Sequence, residues 1–420
     1  MKLMSLLFGL LCTFTYAQTV KNLVPGDPSG SGLSSERLAR LDKHLQTYVD
    51  QKKLPGAVGL IVRNGKIVYL KAFGYADVEG KKALQTNSIF RIASQSKAIT
   101  SLAVMMLFEE GKFLLDDPVS RYIPEFKSPL ILDKLEWKDT SYTTIPAKRE
   151  ITIRQLLTHS SGIDYPAIGS KEMKAIYAKA GVPSGIGNDR DVLADKMKIL
   201  GKLPLKHQPG DQFTYGLNSD VLGYLVEVLS GLPFDQFLNT RIFQPLGMND
   251  TWFYLPKDKQ NRLVALYENK DGVIAKVANK AFDGVDPNYP NLDGKYFSGG
   301  AGLSSTVEDY AKFLQLFLNK GEYNGVRLLS RKTVELMLTD QLHPPIEEEI
   351  GLGFGLETAE NDHQSIVSLG SFSWAGAFNT HYWADPKEKL IGCVFTNIYN
   401  TPHWRIGSEF KTLAYQAIVD

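Results

Sequence analysis

Cysteine is nearly missing from this 420-residue chain, which has two, Cys12 and Cys393. Cys12 falls in a leader-like apolar stretch, so the mature chain keeps one thiol and has no intramolecular disulfide to rely on, even in an oxidising compartment. Cys393, in "KLIGCVFT", reads as a structural thiol on a buried strand. Charge of one sign is also scarce. Lys plus Arg (47) nearly cancels Asp plus Glu (46), and no long block of either sign occurs. This argues against nucleic acid or an anionic membrane as a partner. The seven histidines lack the His-Glu-x-x-His spacing or anything comparable, so no metal is expected. Gly299, Gly300 and Gly302 come without a P-loop lysine or a dinucleotide fingerprint; they read as turn or close-packing residues, and no cofactor is implied. Repeats and low-complexity tracts are missing as well. What is present is 43% hydrophobic and 22% charged residues, a globular composition in a chain long enough for a two-lobed enzyme.

The chain opens with "MK", then the apolar "LMSLLFGLLCTF" and the small-residue site "TYA". This predicts an export signal over 1–17, cleavage after Ala17 and a periplasmic or secreted product, because the apolar run is too short to span a bilayer. Residues 18–34 read as a flexible, Gly/Pro/Ser-rich lead-in. Leu38, Leu41, Leu45 and Val49 recur at helical spacing and predict a helix over about 35–52. "AVGLIV" and "KIVYLKAF" flank Asn64-Gly65, the strongest short-range hairpin signal. "SIVSLG", "FNTHYWADP" and "KLIGCVFTN" read as three more strands, followed by a terminal helix. The expected fold is α/β (α+β), a single catalytic unit over 35–420. Both chain ends, 35–93 and 295–420, build one antiparallel sheet flanked by terminal helices, and a mainly helical lobe over about 94–294 is inserted between them.

Chemistry enters with "FRIASQSKAIT". A serine hydroxyl needs a base, an oxyanion hole and a shielded cleft to act as a nucleophile. The Gly-x-Ser-x-Gly elbow is absent, which argues against an α/β-hydrolase. Ser94 and Lys97 instead share one helical face at i and i+3, and a buried lysine there can accept the serine proton. The apolar "AITSLAVMMLFEEG" that comes next places Ser94 at the opening of a buried helix, where developing negative charge is favoured. A second Ser-x-x-Lys, Ser408 to Lys411, reads as a solvated face of the terminal helix.

Six segments taken together resemble the serine β-lactamase and penicillin-binding-protein superfamily, closest to its class C-like branch with the family VIII carboxylesterases and D-amino acid peptidases. They are "FRIASQSKAIT", "ITIRQLLTHSSGI", "QPGDQFTYGLNSDVLGYLVEVLSG", "IFQPLGMNDTWF", "GGAGLSSTVEDYAKFLQLFLNKGEYNGVRLLS" and "SFSWAGAFNTHYWADP", spanning about 35–415 in the right order. The resemblance implies that Ser94 is acylated, that Lys97 and Tyr215 manage protons, and that the backbone N–H groups of Ser94 and Ala377 form the oxyanion hole. It also implies that Leu217, Asn218, Trp374 and Gly376 line the substrate site, while His381, alternating with Tyr382 along a strand near the cleft, reads equally as a pocket residue or as a satisfied sheet histidine. Two departures bear on substrate. Leu217 replaces the asparagine of the family's Tyr-x-Asn motif, which weakens amide recognition. Trp374-Ala375-Gly376 replaces Lys-Thr-Gly, so an apolar wall stands where a lysine would attract a carboxylate. His159 reads as a hydrogen-bonded loop residue, and segments 128–150 and 167–191 are expected to flank the cleft entrance. The expected activity is hydrolysis of a small or medium uncharged ester. The alternatives are a β-lactamase, a D,D-carboxypeptidase or D-aminopeptidase acting on an amide, and a non-catalytic peptidoglycan- or glycan-binding protein.

Overall fold

The computed structural model describes residues 23–278, 280 and 284–420; the leader and its cleavage site lie outside the described residues. Strands from both chain ends meet in one sheet: β1 (Val24–Pro25), β2 (Gly56–Arg63), β3 (Lys66–Asp77), β4 (Gly355–Leu356), β5 (Phe372–Gly376), β6 (Thr380–Asp385) and β7 (Leu390–Phe395). The eight-stranded sheet runs β1-β3-β2-β7-β6-β5-β4, with Lys82–Ala83 paired off this path to β3. β1–β3 is parallel, and the other neighbours on the path are antiparallel. The β2–β3 hairpin closes at Asn64 and Gly65, both at positive φ (52° and 72°), a conformation that Asn and Gly tolerate best.

β2 is buried along its whole length because the sheet is covered on both faces. Val58, Leu60 and Val62 join Ile391, Cys393 and Phe395 in one apolar cluster, whereas Ala57 and Ile61 join Leu390 and Val394 in the other. Among the helices that contribute to these two clusters are α1 (Ser35–Asp50), α2 (Ser96–Glu109), α3 (Asn218–Ser230), α4 (Val307–Leu318) and α5 (Ile406–Tyr415). The Ser34 hydroxyl caps α1 by accepting the Arg37 N–H at 3.2 Å. α1 and α5 cover the face that holds Ile61, and α4 covers the opposite face. α2 and α3 pack together inside that opposite cluster.

Two expectations are corrected. "SIVSLG" is not a strand: Ile366 and Leu369 are exposed, and after Gly355–Leu356 the chain re-enters the sheet only at the buried Phe372. The described part of the lead-in is docked rather than free, with the Leu23 N–H donating to the Tyr323 hydroxyl at 3.1 Å and Leu33 bridged to Ile418. The inserted lobe also holds two β-hairpins, Leu130–Glu136 with Ser141–Pro146 and Tyr267–Lys270 with Val273–Lys276.

Candidate active site

From 88 to 107 every residue except Ser94 is buried. The chain reaches this point along Phe90–Arg91, paired with Ser304–Ser305, and makes one 3₁₀ turn over Ala93–Gln95 before α2 begins. Ala93 stands at φ 43°, a strained conformation for a residue with a Cβ, which turns Ser94 outward. The turn is fastened from several sides. The Ile92 N–H donates to the Leu303 carbonyl at 3.1 Å, the Leu303 N–H to Ser96 Oγ at 3.1 Å, and the Tyr310 hydroxyl to the Gln95 carbonyl at 2.9 Å.

Lys97 points back at the serine. Its Nζ donates to Ser94 Oγ at 3.2 Å and to the Gly300 carbonyl at 2.7 Å. The same ammonium stands 4.5 Å from the centre of the Tyr215 ring and 5.5 Å from that of Tyr165. Tyr215 is held among aromatic neighbours, with ring centres 4.8 Å from His159, 5.8 Å from Tyr165 and 5.9 Å from Trp374. Its hydroxyl accepts from Trp374 Nε1 at 3.4 Å. His159 is buried, and its Nδ1 accepts the Asn218 amide at 2.9 Å, which leaves the ring proton on Nε2. Burial, helped by the Lys97 charge, holds His159 well below the ordinary histidine range, so it is a neutral support for the Tyr215 loop.

The structure thus brings Ser94, Lys97, Tyr215 and Trp374 together. Trp374 lines a small cavity with Lys97, Ser101, Leu157, His159, Ser219, Ile350, Gly353 and Phe354. Gly376 lets β5 approach the turn that carries Ser94, since a Cβ there would stand 2.3 Å from the Ile92 carbonyl oxygen. Ala377 comes next in the 377–379 turn, beyond the last β5–β6 pair, and packs near Ala93. Residues 167–191 reach the same side through Ile186, which clusters with Ala93 and Phe378, whereas the 130–146 hairpin is largely exposed.

Three of the candidate lining residues face elsewhere. Leu217 is 0% exposed and belongs to the apolar core, as its place just ahead of α3 dictates. Asn218 is buried, and its amide is spent on His159 Nδ1 and Ser161 Oγ. His381 alternates with Tyr382 along β6; Tyr382 faces the α4 side, so His381 faces α5, bonded to Asn379 at 2.7 Å and 4.8 Å from the Trp404 ring centre. The Ser408–Lys411 pair is a solvated face only in part: Ser408 is exposed, but Lys411 is half-buried, its Nζ 6.0 Å from the Trp383 ring centre.

Two neighbours of the site were not expected. Tyr165 stacks on Tyr215; its sequence signal, an aromatic six residues after His159, is weak. Asp220 is fully buried beside the Lys97 site, and burial pushes its carboxyl up to about 6 against the pull of Ser298, Lys97, Tyr296 and the Gly300 N–H. A signal existed for it: Asp220 falls three residues after the core residue Leu217, on the buried side of an apolar helix.

An outward serine bonded to a buried lysine, with a tyrosine held against that lysine, defines a serine hydrolase of the β-lactamase and penicillin-binding-protein class. A family model described as Beta-lactamase matches residues 41–416, and the chain belongs to that family. It is 35% identical over 363 residues to Protein Rv1367c of Mycobacterium tuberculosis, covering 83% of this chain and 86% of the relative. It is 29% identical over 388 residues to esterase EstB of Burkholderia gladioli, covering 88% and 93%. Among solved structures it is similar to EstCE1, a hydrolase with promiscuous acyltransferase activity, at a TM-score of 0.79 and 26% identity over 90% of this chain and 99% of the other.

Proposed function

We propose that this enzyme is an exported carboxylesterase that acts on small or medium uncharged esters through an acyl-enzyme on Ser94. The observation that carries the reading is Trp374. It places an indole beside Tyr215 and Lys97, in a lining whose cation, Lys97, is already committed to Ser94 and the Gly300 carbonyl. Such a wall suits apolar acyl or alcohol groups and offers nothing to a substrate carboxylate. The similarity to an esterase supports the same reading. Export rests on the leader-like residues 1–17.

In this mechanism Ser94 Oγ attacks the ester carbonyl carbon and its proton passes to the Lys97–Tyr215 pair. The oxyanion is received by the N–H groups of Ser94 and Ala377. Ser94 precedes Gln95, the first donor within the 3₁₀ turn, and Ala377 lies beyond the strand ladder, so both N–H groups suit that task. The alcohol leaves with the proton, and water then attacks the acyl-enzyme to release the acid and restore Ser94.

Turnover of p-nitrophenyl acetate and butyrate, beside nitrocefin, tests the reading. Wild type should turn over both esters with little action on nitrocefin, and Ser94→Ala should lose at least about three orders of magnitude in kcat, as expected when a nucleophile is removed. Nitrocefin turnover rivalling the esters would replace the esterase reading with a lactamase, and turnover surviving in Ser94→Ala would reject the nucleophile.

A further inference from the structure

Three polar groups converge on Gly300. A Cβ built there would stand 2.8 Å from Asp220 Oδ2, 3.3 Å from the Tyr165 hydroxyl and 3.5 Å from Lys97 Nζ. The bare Cα therefore leaves the carboxylate and the ammonium facing each other across one glycine. Asp220 is 0% exposed, and the groups that reach its carboxylate, the Ser298 and Tyr296 hydroxyls and the Gly300 N–H, are all uncharged. Lys97 is 4% exposed, and both of its hydrogen bonds go to uncharged oxygens. A buried charge of either sign is costly alone, and across Gly300 each of these two meets a charge of the opposite sign.

The remaining neighbours do not supply that charge. Tyr165, Tyr296 and Ser298 face Asp220 as neutral hydroxyls, and burial holds both tyrosines well above their ordinary range. His159, on the other side of Lys97, is neutral. Asp191 acts on Tyr296 from the 167–191 segment and pairs with Lys196 at 3.2 Å.

We propose that Asp220 is the counter-ion of Lys97, a positioning residue that sets the proton balance of the Lys97–Tyr215 pair when Ser94 is acylated. The catalytic part of this rests on the proposed Ser94 mechanism; the charge pairing does not. A negative charge beside the pair favours its protonated form, so removing it lets proton uptake from Ser94 occur at lower pH, whichever partner receives the proton.

Two measurements decide it. The first is the rate of Ser94 labelling by a fluorophosphonate as a function of pH. Asp220→Asn should move the midpoint of the rising limb down by about one pH unit. A uniform loss of rate with an unmoved midpoint would mean a structural role only and would overturn the proposal. The second is a thermal-stability cycle of Lys97→Met, Asp220→Asn and the double variant. Lys97→Met alone should lower Tm by stranding the carboxylate, and adding Asp220→Asn should restore much of it; additive losses would reject the pairing. If wild type itself fails to label, the Ser94 mechanism fails, and the cycle still decides whether the two charges are partners.

Discussion

Gly376 shows how narrow the tolerance is at single residues. An added Cβ would meet the Ile92 carbonyl oxygen, a backbone atom, at 2.3 Å and Thr380 Oγ1 at 2.4 Å. Gly376→Ala should therefore push β5, and with it the Ala377 N–H, away from the turn that carries Ser94. A displacement of about 1 Å at a reacting centre costs on the order of a hundredfold, so kcat/KM for p-nitrophenyl butyrate should fall by about that factor. Near-normal kinetics in that variant would show that β5 does not set the distance to Ser94. The residues legible in the sequence were those whose partners are close along the chain. Ser94 and Lys97 are one helical turn apart, and they are bonded at 3.2 Å. Asp220 was not legible as their neighbour, because Gly300, which brings it to Lys97, comes 80 positions later in the chain.

At the scale of elements, α5 is held on the sheet over His381. A Cβ at Gly407 would stand 2.4 Å from His381 Nδ1, so helix and imidazole are in direct contact. Burial, with the Lys411 charge adding to it, pushes His381 down to about 4, whereas in an unfolded chain it titrates near the ordinary value of 6.5. Below pH 6.5 the unfolded chain therefore binds the extra proton first. Stability is lost as pH falls from about 6.5 toward 4, by at most about 3 kcal/mol from this residue. In His381→Gln the urea midpoint should fall less between pH 7 and pH 4.5 than it does in wild type, while ester turnover at pH 7 stays within about twofold. Equal losses of stability would remove His381 as the cause, and a collapse of turnover would return it to the substrate site. The strand that carries His381 was legible from its alternation. The face it presents was not, because a period of two defines two faces without saying which one meets Ser94.

For the whole molecule, β2 and β7 feed both apolar clusters with alternate side chains, so neither cluster can come apart without exposing the other. Unfolding in urea should consequently be a single transition, with tryptophan fluorescence and far-ultraviolet circular dichroism superimposing; separated transitions would mean that the inserted lobe folds by itself. The sequence by itself determined the pairing of Ser94 with Lys97, the candidate tyrosine Tyr215, the β2–β3 hairpin, the two terminal helices and the sheet shared by both chain ends. Each of these rests on short-range spacing, turn chemistry or ordered motifs, which the chain carries locally. Only the tertiary structure decided that Asn218 serves His159, that His381 belongs to the packing of α5, that Trp374 closes on Tyr215, and that Asp220 faces Lys97. Those contacts join segments far apart along the chain, and which side chains meet depends on strand register and helix rotation that packing of the whole core selects.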